Sequence, residues 1–203
     1  FKTPLAFATL DKSGNAVYDF YKSKFDYHIQ TNDLYNTGIF FYGSFFSVMD
    51  ENQKNIEKII ATSKREKSII CYDPNYRKNY TKKNLKNLFK NITNSHIVKL
   101  STDDAKNIFD MDNISEIFKT LNNFGTILTI ITDGKNGAYL SFLNKPYIKV
   151  DSKEVKVVDT IGAGDNFSAG ILYYLYEKEI FCVDFLRSLK DEQLYTLLTT
   201  GID

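Results

Sequence analysis

The chain has 203 residues, 43% of them hydrophobic, which suits one ordinary domain able to bury a core without metals or disulfides. Its 26 Lys and Arg against 25 Asp and Glu leave a net charge of +1, scattered rather than gathered into the stripe a nucleic-acid partner requires. Cys71 and Cys182 form no CxxC pair, no apolar run reaches the roughly 20 residues of a membrane-spanning helix, and Phe1-Lys2-Thr3-Pro4 is unlike a signal peptide. A reducing, cytoplasmic setting with no membrane is expected.

Residues 4–10 and 15–21 alternate apolar and polar side chains around Asp11-Lys12-Ser13-Gly14-Asn15, the pattern of a hairpin with a glycine-containing turn. Residues 37–42 read as a buried strand, and residues 51–66 set Ile56, Ile59 and Ile60 on one helical face with lysines opposite. The alternation repeats: strand over 68–72, helix over 85–92, strand over 96–100, short helix over 103–109. A helix over 114–124 closes at Gly125, a residue suited to the left-handed end of a helix, and residues 126–131 form a β-branched strand. Hairpin strands over 137–143 and 146–150 follow, then an apolar helix over 167–176. This order predicts an α/β fold, a doubly wound and mainly parallel sheet flanked by helices, with ligands outside the carboxyl ends of the strands. Residues 1–36 are expected to form part of a small β lid and the return to the core, residues 37–203 the core itself.

Chemistry concentrates in Asp159-Thr160-Ile161-Gly162-Ala163-Gly164-Asp165, followed at once by Asn166-Phe167 and a helix. Small residues at a helix N-terminus let an anion approach unpaired N–H groups at the positive end of the helix dipole. Asp165, at the rim, could accept the proton of a hydroxyl attacking a nearby phosphorus. A plainer reading makes Gly162 and Gly164 a tight turn and Asp165 a helix cap.

The full string resembles the D-T-x-G-A-G-D-x-F signature of the ribokinase-like (PfkB) carbohydrate kinases at every fixed position. That resemblance implies an ATP- and Mg²⁺-dependent sugar kinase in which Asp165 is the base and Gly162, Ala163 and Gly164 hold the phosphate. Thr132-Asp133-Gly134-Lys135-Asn136-Gly137-Ala138 is similar to the family's T-x-G-x-x-G-A turn, placing Thr132, Gly134 and Gly137 at the nucleotide. Asp73-Pro74-Asn75-Tyr76-Arg77 resembles the D-x-N-x-R segment of fructokinases and 2-keto-3-deoxygluconate kinases, where Arg77 would stabilise charge on the transferred phosphoryl group. A turn with a solvated arginine is the alternative.

Lys99-Leu100-Ser101-Thr102-Asp103-Asp104 stands where the family carries N-x-x-E, which implies Lys99 and Ser101 at the cofactor and Asp104 at Mg²⁺ through water. The same S-x-x-D is also close to a capping box, and both readings stand. Residues 10–27 are similar to the family's lid strands, which exclude water from the bound sugar. Tyr18, Phe20, Tyr21 and Lys22 there face either the substrate or the hairpin's own packing. The resemblance also allows a monovalent cation such as K⁺ near Asp159 and a homodimer through the lid. His28 and His96 have no partner spacing for a metal or a triad, and structural roles are expected of them.

The likeness runs from Lys2 to Leu198. Family members open with a strand, an acidic sugar-binding residue and a Gly-Gly segment, and continue past the point matching Thr199, so the chain is expected to be part of a longer kinase. Fructose is the favoured acceptor, with 2-keto-3-deoxygluconate, ribose or a nucleoside as alternatives. A truncated, non-catalytic nucleotide-binding member is a further reading. A dinucleotide-binding enzyme is disfavoured, because no Gly-x-Gly-x-x-Gly follows an early strand.

Overall fold

The computed structural model describes residues 5–10, 16–21, 38–76, 80–154 and 160–202. The early alternation forms a hairpin, with β1 (Leu5–Leu10) antiparallel to β2 (Ala16–Tyr21) and Leu5 opposite Tyr21. Leu5, Phe7 and Tyr21 are exposed, and the rings of Phe7 and Tyr21 meet edge-on at 5.6 Å. The turn at 11–15, Lys22, and the side chains of Tyr18 and Phe20 lie outside the described residues.

The core then alternates as β3 (Ile39–Gly43), α1 (Asp50–Arg65), β4 (Ile69–Asp73), α2 (Lys82–Thr93), β5 (Ile97–Ser101), α3 (Thr102–Phe109), α4 (Ile114–Asn122) and β6 (Leu128–Thr132). The hairpin β7 (Ala138–Phe142) and β8 (Ile148–Val150) follows, then α5 (Ala163–Glu177), α6 (Val183–Arg187) and α7 (Asp191–Ile202). Strands β3 to β8 make one sheet in chain order, parallel through β6 and antiparallel beyond it.

That order decides where the helices go. Parallel crossovers are right-handed, so strands laid down in sequence place every crossover helix on the same face. Ile70, Tyr72, Val98, Leu100 and Ile131 accordingly meet apolar residues of α1 to α4, among them Ile56, Leu88 and Ile117. Ile69, Cys71, Ile97, Leu128 and Ile130 point the other way, against Phe167 and Ile171 of α5 and Leu197 of α7. The second layer thus comes from the C-terminal helices, of which the sequence pattern announces only α5. That helix begins at Ala163 rather than Phe167, since the Asn166 N–H already donates to the Gly162 carbonyl at 2.8 Å. Its first turn therefore contains the glycine motif.

Candidate active site

The carboxyl ends of the parallel strands bring Gly43 opposite Asp73 and Ser101 opposite Thr132, and α5 starts beside this edge. An open cavity of about 250 Å³ lies there, lined by Thr132, Gly134 and Gly137 on one side and Ala163, Gly164 and Phe167 on the other. Two sequence-marked turns about 30 residues apart therefore face one space. Ser152, Asn166, Gly201 and Ile202 complete the lining.

The turn after β6 is shaped by its own bonds. The Asp133 N–H donates to the Gly137 carbonyl at 2.8 Å, and the Asp133 carboxylate accepts from Thr102 Oγ1 and Asn136 Nδ2, each at 3.1 Å. Gly137 has φ 93°, and a Cβ there would stand 2.0 Å from the Val150 carbonyl oxygen, so only glycine fits.

At α5, Gly162 is the residue before the helix, with φ 80° and no side-chain cap. The capping role considered for Asp165 is not taken: it lies inside the first turn, exposed, with no hydrogen bond or ion pair to another described residue. First-turn amides have no intrahelical partner, though the Ala163 N–H donates to the Thr160 carbonyl at 3.2 Å; the turn sets its remaining N–H groups beside a carboxylate that has no partner among the described residues.

Beneath it sits a buried ionic cluster. Lys99 Nζ donates to Asp73 Oδ2 at 2.9 Å, with the two side chains only 12% and 6% exposed. A Cβ on Gly164 would come within 3.2 Å of that Nζ, so the lysine lies directly under the glycine turn. Burial pushes the Asp73 carboxyl above the usual range, with the Lys99 ammonium pulling the other way. Asp73 also accepts the Asn75 N–H at 3.2 Å and the Ser168 hydroxyl at 3.3 Å.

Ser101 and Asp104 form the capping box of α3. The Ser101 hydroxyl accepts the Asp104 N–H at 3.0 Å, and Asp104 Oδ2 accepts the Ser101 N–H at 2.9 Å. Asp104 Oδ1 accepts the Tyr76 N–H at 2.8 Å, which ties down the loop after β4. Both oxygens of this carboxylate thus hold backbone, leaving spare lone pairs only for water. Arg77 and Asp159 lie outside the described residues.

Asp73 and Ser168 are the site residues that sequence reasoning passed over. Asp73 stood within a recognised segment, but its role as a hub was not visible. Ser168 carried a signal, being a hydroxyl in the stripe of α5 that otherwise buries Phe167, Ile171 and Leu175.

Strand edge, glycine turns and helix N-terminus meet at one cavity of an α/β protein, at the carboxyl ends of its parallel strands. Residues 2–181 match the pfkB family carbohydrate kinases, and the chain belongs to that family. It is 32% identical over 181 residues to the ATP-dependent 6-phosphofructokinase of Thermoanaerobacterium thermosaccharolyticum, covering 84% of this chain and 54% of that protein. It is 31% identical over 129 residues to a fructokinase of Rhizobium leguminosarum bv. trifolii, covering 62% of this chain and 39% of that protein. The chain spans about half the length of the curated relatives it matches. Its fold is that of the fructokinase with bound ATP from Xylella fastidiosa, at TM-score 0.79 and 22% identity over 98% of this chain and 65% of that one. The fructokinase from Vibrio cholerae O395 in its fructose-, ADP- and calcium-bound form matches at TM-score 0.77 and 20% identity, over 97% of this chain and 64% of that one. Among the described residues no helix is long and apolar enough to cross a membrane.

Proposed function

We propose that this chain supplies the phosphate and nucleotide site of an ATP-dependent kinase that phosphorylates a hydroxyl of a small sugar, with fructose the favoured acceptor. The observation that carries this reading is the shared cavity, which sets the turn of Thr132, Gly134 and Gly137 against the first turn of α5 beside Asp165. A triphosphate lying across it would have its adenosine end on the turn of Thr132, Gly134 and Gly137 and its terminal phosphate at the turn of Gly162, Ala163 and Gly164, above the Lys99 ammonium.

Asp165 then takes the acceptor's proton as the hydroxyl oxygen bonds to the γ-phosphorus, while the bond to the ADP oxygen breaks and ADP leaves with that electron pair. An unengaged, exposed carboxylate suits that task. Lys99 keeps positive charge under the developing phosphoryl charge, and Arg77 adds to it from the loop after β4. Mg²⁺, when bound, neutralises charge on the phosphate oxygens. Among the described residues no cluster of three or more His, Cys, Asp or Glu stands ready to grip a metal. The ion would be held chiefly by phosphate and water, with Asp104 reaching its water shell, and K⁺ would take a separate site at Asp159. The β1–β2 hairpin acts as the lid, and its exposed Leu5, Phe7 and Tyr21 suit contact with a second copy.

A second acceptor, fructose 6-phosphate, is favoured by the similarity to a 6-phosphofructokinase over most of the chain. The deciding experiment measures ADP release by the full-length protein with fructose, fructose 6-phosphate, 2-keto-3-deoxygluconate, ribose and a nucleoside. Phosphorylation of fructose above the others is expected. Failure of every acceptor in that panel overturns the kinase reading and leaves a nucleotide-binding protein.

A further inference from the structure

We infer that Ser168 is a positioning residue that anchors the phosphate-binding turn of α5 to the strand edge through Asp73; the inference rests on the kinase reading above. Ser168 lies one helical turn beyond Gly164 and is buried, with 6% of its surface exposed. Its single hydroxyl has two acceptors, the Gly164 carbonyl at 3.0 Å and Asp73 Oδ2 at 3.3 Å.

The same Asp73 carboxylate receives Lys99 Nζ from β5 and the Asn75 N–H from the loop after β4. One buried group therefore fastens three segments that converge on the site. The loop's far side is held as well, since Asp104 Oδ1 accepts the Tyr76 N–H.

Phe167, Ile171 and Leu175 pack α5 against the sheet through apolar contacts. Gly170 also seats closely against Thr200 and Gly201 of α7, and to this packing a hydrogen bond to a fixed carboxylate adds a directional restraint on axial position. Asp165 precedes Ser168 by about 4.5 Å along the helix axis at an α-helical rise. Holding Ser168 thus helps hold Asp165 and the amides beside it relative to the loop carrying Asn75 and Tyr76. In-line transfer is sensitive to such placement, and a displacement on the order of 1 Å costs about a hundredfold in rate.

The test is a double-mutant cycle of Ser168→Ala and Asp73→Asn in the full-length protein, read by kcat, by KM for ATP and acceptor, and by amide hydrogen exchange over residues 163–170. Ser168→Ala is expected to lower kcat by roughly ten- to a hundredfold with both KM values within about threefold, and to speed exchange about tenfold. Ser168→Thr, which keeps the hydroxyl, is expected to recover most of both. In the Asp73→Asn background, Ser168→Ala should change little further, because its anchor is already altered. Wild-type kcat and exchange in Ser168→Ala, or full additivity of the two substitutions, overturns the inference. If the wild-type protein transfers phosphate to no acceptor while exchange responds as described, the kinase reading falls and the anchoring role stands.

Discussion

Two aspartates beside the glycine turn, Asp73 and Asp165, have the same side chain and opposite surroundings. Asp73 is buried, and its carboxylate is occupied by an ammonium, a hydroxyl and a backbone N–H. Asp165 is exposed, and its carboxylate has no hydrogen bond or ion pair with another described residue. Asp104 shares the first condition, buried with both oxygens accepting backbone N–H groups, and the half-buried Asp133 holds neighbouring side chains. Groups whose bonds are already made inside the protein set geometry, because altering them leaves a buried partner unsatisfied. Groups left open at the rim are the ones with capacity to exchange a proton or hold a ligand. Burial and bonding thus divide one acidic residue type into scaffold and chemistry.

The division breaks most visibly at Asp165. On the proposed kinase reading Asp165→Asn removes the proton acceptor while breaking no carboxylate bond to another described residue, so kcat of the full-length protein should fall about a thousandfold, equivalent to roughly 4 kcal/mol of barrier. Nucleotide affinity should stay within about threefold, and thermal stability should not fall. Titration calorimetry beside steady-state kinetics checks both, and an Asp165→Asn variant of normal kcat would place the chemistry elsewhere.

Lys99→Met tests the opposite member. It leaves the Asp73 carboxylate buried without its cation, at a cost of about 3 kcal/mol in unfolding free energy from urea titration. Adding Asp73→Asn to that variant should recover part of the loss, because the uncompensated charge is then gone. A Lys99→Met protein as stable as wild type would show that the pair is not a scaffold.

Much of this arrangement could be read from the chain, and the rest failed for identifiable reasons. Ile69-Ile70, Ile97-Val98 and residues 128–132 are β-branched or apolar runs between helical patterns, and each is a strand. Gly162, Gly164, Gly134 and Gly137 marked the two turns that share the cavity. The start of α5 was misplaced because Ala163-Gly164-Asp165 has weak helix propensity as a string, which tertiary contacts override. α6 is only five residues long, too short for a period to show, and α7 hides its Leu194, Leu197 and Leu198 stripe before Thr199-Thr200-Gly201. Ser101-x-x-Asp104 was ambiguous in sequence, and the Tyr76 amide that occupies Asp104 comes from a loop on another strand. Asp73 and Ser168 lie 95 positions apart, a separation no local pattern can bridge.

His96 extends the comparison to a committed group outside the site. Its Nδ1 accepts the Ile70 N–H at 3.0 Å, which requires that nitrogen unprotonated. Burial, then the charges of Lys64 and Arg187, hold its pKa down at about 4 against an ordinary 6.5. Above pH 6.5 the ring is neutral in both folded and unfolded chains, and its contribution is constant. As pH falls from 6.5 to about 4, the unfolded chain binds a proton that the folded one excludes, so stability declines; below about 4 this group causes no further loss. The decline should be on the order of 2 kcal/mol once solvent screening is allowed for. Urea midpoints at pH 7.5 and pH 4 measure it. His96→Gln should flatten the dependence over that window, and an unchanged slope would assign it to other groups.

The smallest effect separates commitment from burial. Asn113 precedes α4 and its Oδ1 accepts the Glu116 N–H at 3.1 Å, so it is fully engaged as a cap, yet it is exposed and remote from the cavity. Water can replace the lost acceptor there, so Asn113→Ala should cost only about 1 kcal/mol in urea titration. Catalytic constants should remain at wild-type values. If Asn113→Ala costs as much as Lys99→Met, engagement alone sets the penalty; if it costs about a third as much, burial multiplies it, as the contrast between Asp73 and Asp165 requires.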